Sequence, residues 1–166
     1  MQNRRPAPRR LSFRYARIAA LVAVLAGSAG AQDRRTVTEP VIPPACTTLA
    51  ATLVPVGDST LAESDEGKLD TPRIQAALDA CTPGKAVLLA AGPGDRRAFL
   101  TGPLQLRAGV TLVIGERAIL IASRNPRLYD IEAGRCGTVD KRGHGCVALI
   151  TGEKVKGAGV MGPGTL

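Results

Sequence analysis

Fourteen carboxylates, one histidine and four cysteines are the side chains that could do chemistry in this chain. General acid and base catalysis needs two carboxyl groups held apart, in surroundings that raise the pKa of one of them. The carboxylates show no such pattern. Asp65, Glu66 and Asp70 precede a helical run, Asp79 lies on its polar side, and Asp95, Glu116, Asp130, Glu132, Asp140 and Glu153 stand in turn-like stretches. All are expected as solvated surface charges. The histidine, His144, lies between Gly143 and Gly145 in a charged stretch flanked by cysteines. Structural zinc sites draw on closely spaced Cys and His ligands. No CxxC pair exists and there is one histidine, so neither a metal nor a cofactor is expected.

The basic balance of the chain is uneven. Of 22 Lys and Arg residues, six (Arg4, Arg5, Arg9, Arg10, Arg14 and Arg17) lie in the first seventeen positions, and no acid precedes Asp33. Without residues 1–31 the chain keeps 16 basic against 14 acidic residues, too even a balance for a nucleic-acid partner. The leader has the three parts of a secretory signal: an arginine-rich start, the apolar run Ile18 to Ala26, and the small-residue site Ala29-Gly30-Ala31. Cleavage is expected after Ala31. The apolar run is short of the roughly 20 residues that span a bilayer, so no stable membrane anchor is expected. Arg9-Arg10 admits a twin-arginine export reading, although Phe13 is displaced from the place that motif would want.

Export to a secreted or periplasmic location gives the cysteines a meaning, because thiols oxidise outside the cytoplasm. All four (Cys46, Cys81, Cys136 and Cys146) follow the leader. Four cysteines allow three connectivities. The favoured pairs are Cys46 with Cys81, which would pin an N-terminal arm to the helix, and Cys136 with Cys146, which would close a short surface loop.

The elements that would position these residues follow in order. Residues 32–45 are polar and proline-punctuated, an extended arm. Thr52 to Val56 reads as a short apolar strand and Gly57 to Leu69 as an acidic loop. A capping helix is expected at about 71–82. Asp70 or Thr71 can serve as N-cap, and Pro72 suits the first helical position. Ile74, Ala77, Leu78 and Cys81 then form one apolar stripe, and Pro83-Gly84 stops the run. Four short apolar strands follow: Ala86 to Ala90, Leu104 to Leu106, Val110 to Ile114 and Ala118 to Ala122. Leu104, Leu112 and Leu120 fall eight apart, and Val87 precedes Val110 by 23. Such spacing fits three strands per coil and just over twenty residues per coil, so the fold class is all-β, the first coils of a right-handed parallel β-helix. An antiparallel sandwich would want two-residue Asn-Gly or Asp-Gly turns, and none separates these strands. A doubly wound sheet would want a helix after each strand. Arg124 to Cys146 reads as a long charged surface loop. The ladder resumes at Val147 to Thr151 and at Val155 to Met161, and no polar cap follows.

The runs Asp70-Thr-Pro-Arg-Ile-Gln-Ala-Ala-Leu-Asp-Ala-Cys81, Phe99-Leu-Thr-Gly-Pro-Leu-Gln-Leu106, Gly109-Val-Thr-Leu-Val-Ile114 and Ala118-Ile-Leu-Ile-Ala-Ser123 together resemble the N-terminal portion of glycoside hydrolase family 28. These are the polygalacturonases and related pectinases of the pectin-lyase-like superfamily. The closing run Gly157 to Leu166 is similar to the family's strand before its Asp-Gly-Arg-Gly turn, and the resemblance covers residues 46–166. Ser64 to Asp70 departs from the Asp-Gly-x-x-Asp-Asp-Thr approach of many relatives, so the turn before the helix is expected to differ.

The resemblance implies a full-length enzyme that cleaves α-1,4-galacturonosyl bonds of pectin by inverting hydrolysis, with pectic polysaccharide as partner, no cofactor and a monomeric state. It also implies catalytic motifs Asn-Thr-Asp, Asp-Asp, Gly-His-Gly and Arg-Ile-Lys in later coils. Three have no counterpart here. Gly143-His144-Gly145 matches the fourth in letters but comes before the resumed ladder, with no Asp-Asp pair ahead of it. No catalytic role is carried onto His144, and no catalytic residue is expected in residues 46–166. Arg96, Arg97, Arg107, Arg117, Arg124 and Arg127 could offer part of a polyanion-binding surface, but solvated turn residues are the plainer expectation. Two alternatives keep the fold: a non-catalytic secreted β-helix module that binds polysaccharide or serves structurally, and a lyase or rhamnogalacturonan hydrolase.

Overall fold

The computed structural model describes residue 36, residues 38–138 and residues 145–166. The leader, its expected cleavage site after Ala31, Asp140 and His144 lie outside the described residues. Pro40–Leu166 forms one compact unit.

Within it the chain winds through three parallel sheets. Strands β1 (Ala45–Ala50), β2 (Lys85–Ala90), β5 (Val110–Ile114) and β8 (Gly159–Met161) make one sheet in that spatial order. Strands β3 (Ala98–Thr101) and β6 (Ile119–Ala122) make a second, and β4 (Leu104–Gln105) and β7 (Ile150–Thr151) a third. Lys85 pairs with Val110 and Ala98 with Ile119, all in parallel register. Each circuit therefore brings the chain back beside its own earlier strand, and short strands that cannot bury a face singly bury one as a stack.

Several expectations are corrected here. The helix α1 is Thr71–Ala80 rather than about 71–82, because Cys81 is already extended (φ −76°, ψ 136°) and joined to Cys46. The first strand is Ala45–Ala50, not Thr52 to Val56, where Leu53 and Val56 make only isolated bridges. The extended arm therefore gives way to strand at Ala45. Strand β3 was absent from the sequence reading altogether. Leu104, Leu112 and Leu120, eight apart, do fall in three different sheets of one winding, as three strands per coil requires. The true ladder partner of Val87 is Leu112.

The core follows from this winding. Ile74 and Leu78 of α1, Val87 of β2, Phe99 of β3, Leu112 of β5 and Leu120 of β6 are all buried in one apolar cluster. A second cluster lies on the other face of β3, where Leu53 and Leu61 cover Ala98 and Leu100. Both faces of β3 are thus buried, and the stretch between β1 and α1, though mostly irregular, is a cover rather than a free loop.

One corner of the winding repeats a glycine. Gly84, Gly109 and Gly157 have φ of 82°, 71° and 66°, a region that glycine enters without a Cβ clash. Gly84 N–H donates to Gly109 O at 2.7 Å, and Gly109 N–H donates to Lys156 O at 2.8 Å. A Cβ on Gly109 would come within 2.7 Å of Pro83 Cβ, so this corner needs glycine for both conformation and space.

Candidate functional site

The described carboxylates do not converge. Asp65 pairs with Lys68 at 2.6 Å and Glu66 with Arg124 at 2.8 Å. Asp95, Glu116 and Glu132 are exposed, and Glu153 meets Lys154 at 3.4 Å with both side chains largely in solvent. Among the described residues no group of three or more His, Cys, Asp or Glu could hold a metal ion, and no helix is long and apolar enough to cross a membrane. A shallow depression of about 310 Å³ between Val54, Pro55, Gly57, Asp58, Asp95 and Arg97 brings two carboxylates near one guanidinium. Asp58 is fully exposed there, so it has none of the burial that sets a general acid apart from a surface charge.

Three carboxylates do more than the sequence suggested. Asp70 was expected to be solvated, yet it is 5% exposed. It occupies the N-cap position of α1 without capping it through its side chain. Its Oδ2 instead accepts from Leu100 N–H at 3.0 Å, and its Oδ1 accepts from Arg73 Nε at 2.6 Å. A buried carboxylate is tolerated only with such partners.

Asp79 ties the helix to the turn after β4. Its Oδ1 accepts from Arg107 Nε at 2.7 Å and from Gln75 Nε2 at 2.7 Å. These two bonds, Arg107's first, hold its carboxyl below the usual carboxylate range.

Asp130 organises the charged loop that follows β6, its side chain largely covered. Burial raises its pKa, but the backbone N–H groups of Cys136 and Gly134 and the nearby Arg127 outweigh that, and the net shift is downward. The same loop is closed by Cys136–Cys146 (Cα–Cα 4.7 Å) and anchored by Tyr129, whose hydroxyl donates to Thr101 O at 3.3 Å. Burial raises the Tyr129 phenol above its ordinary value.

The second disulfide, Cys46–Cys81 (Cα–Cα 5.8 Å), joins β1 to the residue after α1. Four of the six arginines considered as a polyanion surface are engaged. Arg97 donates to Gly57 O, Arg107 pairs with Asp79, Arg124 with Glu66, and Arg127 with Asp130. Arg96 and Arg117 are exposed on turns of adjacent coils, and two exposed cations beside Asp95 and Glu116 do not make a groove.

Sequence reasoning missed a polar seam along β3 and β4. Asp70 and Gln75 bond backbone groups of these strands, and Thr71 bonds Gly102 in the turn between them. The run Asp-Thr-x-x-x-Gln carried the needed residue types, but their partners lie about thirty residues onward.

A stack of short parallel strands, with one helix against its apolar interior, defines the class: a parallel β-helix scaffold. The comparisons agree. The chain is 42% identical to an endo-polygalacturonase of Pectobacterium parmentieri over 146 residues, 88% of this chain and 32% of that protein. It is 38% identical to a polygalacturonase of Ralstonia nicotianae, over 94% of this chain and 32% of the relative. A solved polygalacturonase from Erwinia carotovora ssp. carotovora superposes with a TM-score of 0.63 at 40% identity, covering 80% of this chain and 31% of that one. No family model matches the chain. By homology, then, the chain is a relative of the bacterial polygalacturonases, and it spans about a third of the length of the curated relatives it matches.

Proposed function

We propose that this chain is the N-terminal part of an exported polygalacturonase-type glycoside hydrolase, and that residues 46–166 supply its scaffold rather than its chemistry. The observation that carries the reading is the combination of about 40% identity with coverage of only about a third of each relative. Residues 1–31 act as a secretory signal cleaved after Ala31, residues 32–45 as an arm, and α1 closes the N-terminal end of the coil stack. The product is secreted or periplasmic, which suits two disulfides. The substrate of the whole enzyme is polygalacturonate, cleaved at α-1,4 bonds with inversion. Inversion needs two carboxyl sites about 6.5–9.5 Å apart, one of them a protonated acid. Asp65, Glu66, Asp70, Asp79 and Asp130 instead hold loops and the helix, and the exposed carboxylates do not converge, which supports placing the catalytic pair in later coils. Recovery of the coding sequence after the Leu166 codon tests this. A frame continuing into Asn-Thr-Asp, Asp-Asp and Arg-Ile-Lys motifs is expected, and a continuation lacking all three overturns the reading.

A further inference from the structure

We propose that Asp130 is a positioning residue for a redox reaction of this chain: it holds Cys136 and Cys146 together before they are joined, so that a small-molecule disulfide enters at Cys146 and Cys136 completes the bond. One residue reaches both cysteines, by different means. Ile131 N–H donates to Gly145 O at 3.2 Å and Val147 N–H donates to Tyr129 O at 2.8 Å, which sets Asp130 opposite Cys146 in an antiparallel bridge. The two bonds flank that pair, so it is the close, non-hydrogen-bonded kind, with both side chains on one face of the ladder. From there the Asp130 carboxylate grips the other cysteine. Its Oδ1 accepts from Cys136 N–H at 2.6 Å and its Oδ2 from Gly134 N–H at 2.8 Å. The Cα atoms of Cys136 and Cys146 stand 4.7 Å apart, and none of these contacts is the covalent bond itself.

The rest of the hold on Cys136 is local too. The Arg127 side chain donates to Cys136 O, and its Nη1 lies 3.3 Å from Asp130 Oδ2. Tight turns bracket the cysteine: Arg135 N–H donates to Glu132 O at 3.0 Å and Thr138 N–H to Arg135 O at 3.3 Å. Gly134 and Gly137, with φ of 80° and 82°, take the backbone conformation that other residues avoid. All these partners lie within residues 127–147. The first pair is placed differently, since Cys46 stands on β1, set by pairing with β2, and Cys81 follows α1, set by packing on the core.

Exposure decides which sulfur meets the outside reagent. Cys136 is 5% exposed, whereas Cys146 is exposed. A thiolate that opens the bond therefore attacks Cys146 Sγ and expels the Cys136 thiolate, and microscopic reversibility puts the same mixed disulfide on the path of formation. With glutathione disulfide as oxidant, the Cys146 thiolate attacks one sulfur, breaks the S–S bond and expels one glutathione thiolate. The Cys136 thiolate then attacks Cys146 Sγ, breaks the mixed disulfide and expels the second. Two thiol protons leave the protein and two electrons pass to the glutathione disulfide, which ends as two thiols. Asp130 exchanges neither electrons nor protons in these steps. It supplies proximity, and by linkage the finished bond tightens the hold of Asp130 by the same factor.

The test uses the full chain and alkylation quenching with peptide mass mapping, which reports each cysteine separately. With glutathione disulfide, Cys136→Ser is expected to take up glutathione at Cys146 at least about tenfold faster than Cys146→Ser does at Cys136, because access limits the exchange. In glutathione redox buffers Asp130→Asn is expected to lower the effective concentration of Cys136 toward Cys146 by about tenfold or more, the worth of one hydrogen bond to a charged group, with Cys46–Cys81 unchanged. In the double variant Cys136→Ser, Cys146→Ser the amides of Gly134 and position 136 should still exchange at least about tenfold more slowly than open ones, since the carboxylate still holds them. Unprotected amides in that double variant overturn the proposal, even if Asp130→Asn fails to fold. So does uptake at Cys136 as fast as at Cys146. An equal fall at both cysteine pairs in Asp130→Asn, which would mark a merely structural role, or no fall in a folded Asp130→Asn, overturns it as well.

Discussion

Phe99→Ala is expected to lower the unfolding free energy by about 3–5 kcal/mol, the range for deleting a buried aromatic ring. The chain has two phenylalanines and no tryptophan, so its core is aliphatic around this ring. Phe99 is fully buried in the cluster that also holds Ile74 and Leu78. The guanidinium of Arg73 lies 5.0 Å from the ring centroid, a contact that adds to the attraction. Truncation removes the transfer free energy of the ring and leaves a cavity that neighbours on rigid, paired strands cannot collapse to fill. Urea unfolding followed by circular dichroism should show a lower midpoint with an unchanged slope. A loss below about 1 kcal/mol would contradict the placement of Phe99.

The second large effect is the loss of Cys46–Cys81. Cross-linking across a sequence separation of 35 removes denatured-state entropy worth about 4 kcal/mol on the chain-entropy account. The covalent tie matters here because β1 is otherwise weakly held. It pairs with β2 on one side and its residues are mostly exposed or half-buried. The double variant Cys46→Ala, Cys81→Ala should therefore lose several kcal/mol and free the β1 amides to exchange ahead of those of β2 and β5. Equal protection of β1 and β5 in that variant would show that packing alone holds the first strand.

The helix was legible because its stripe, Ile74, Ala77, Leu78 and Cys81, is a local pattern with a proline at its start. The coil repeat was legible as well, because apolar runs between turn residues recur at nearly even spacing. Strand β3 was not, for a physical reason. Ala98–Thr101 is buried on both faces, so it shows no alternation, and it follows directly on Arg96-Arg97. The misassigned strand at 52–56 is the mirror of that error. Its Leu53 covers β3 from outside, while Val54 and Val56 are exposed, and none joins the main ladder.

Asp70 was read as a candidate N-cap and a solvated charge, which is what its immediate neighbours indicate, and Gln75 drew no reading of its own. Their real partners, Leu100 and Gln105, become neighbours only when the coil closes. The expectation of no catalytic residue in residues 46–166 rests on the sequence alone, where three of the four expected motifs have no counterpart and Gly143 to Gly145 matches the fourth only in letters. What the structure adds is that Asp65, Glu66, Asp70, Asp79 and Asp130 already have structural work.

The central claim is that this chain holds a polygalacturonase-type scaffold without the polygalacturonase chemistry. Incubating the purified 166-residue chain with polygalacturonate and measuring new reducing ends tests it most directly. Release indistinguishable from the protein-free control is the predicted result, and release that rises in proportion to the amount of folded chain would contradict it.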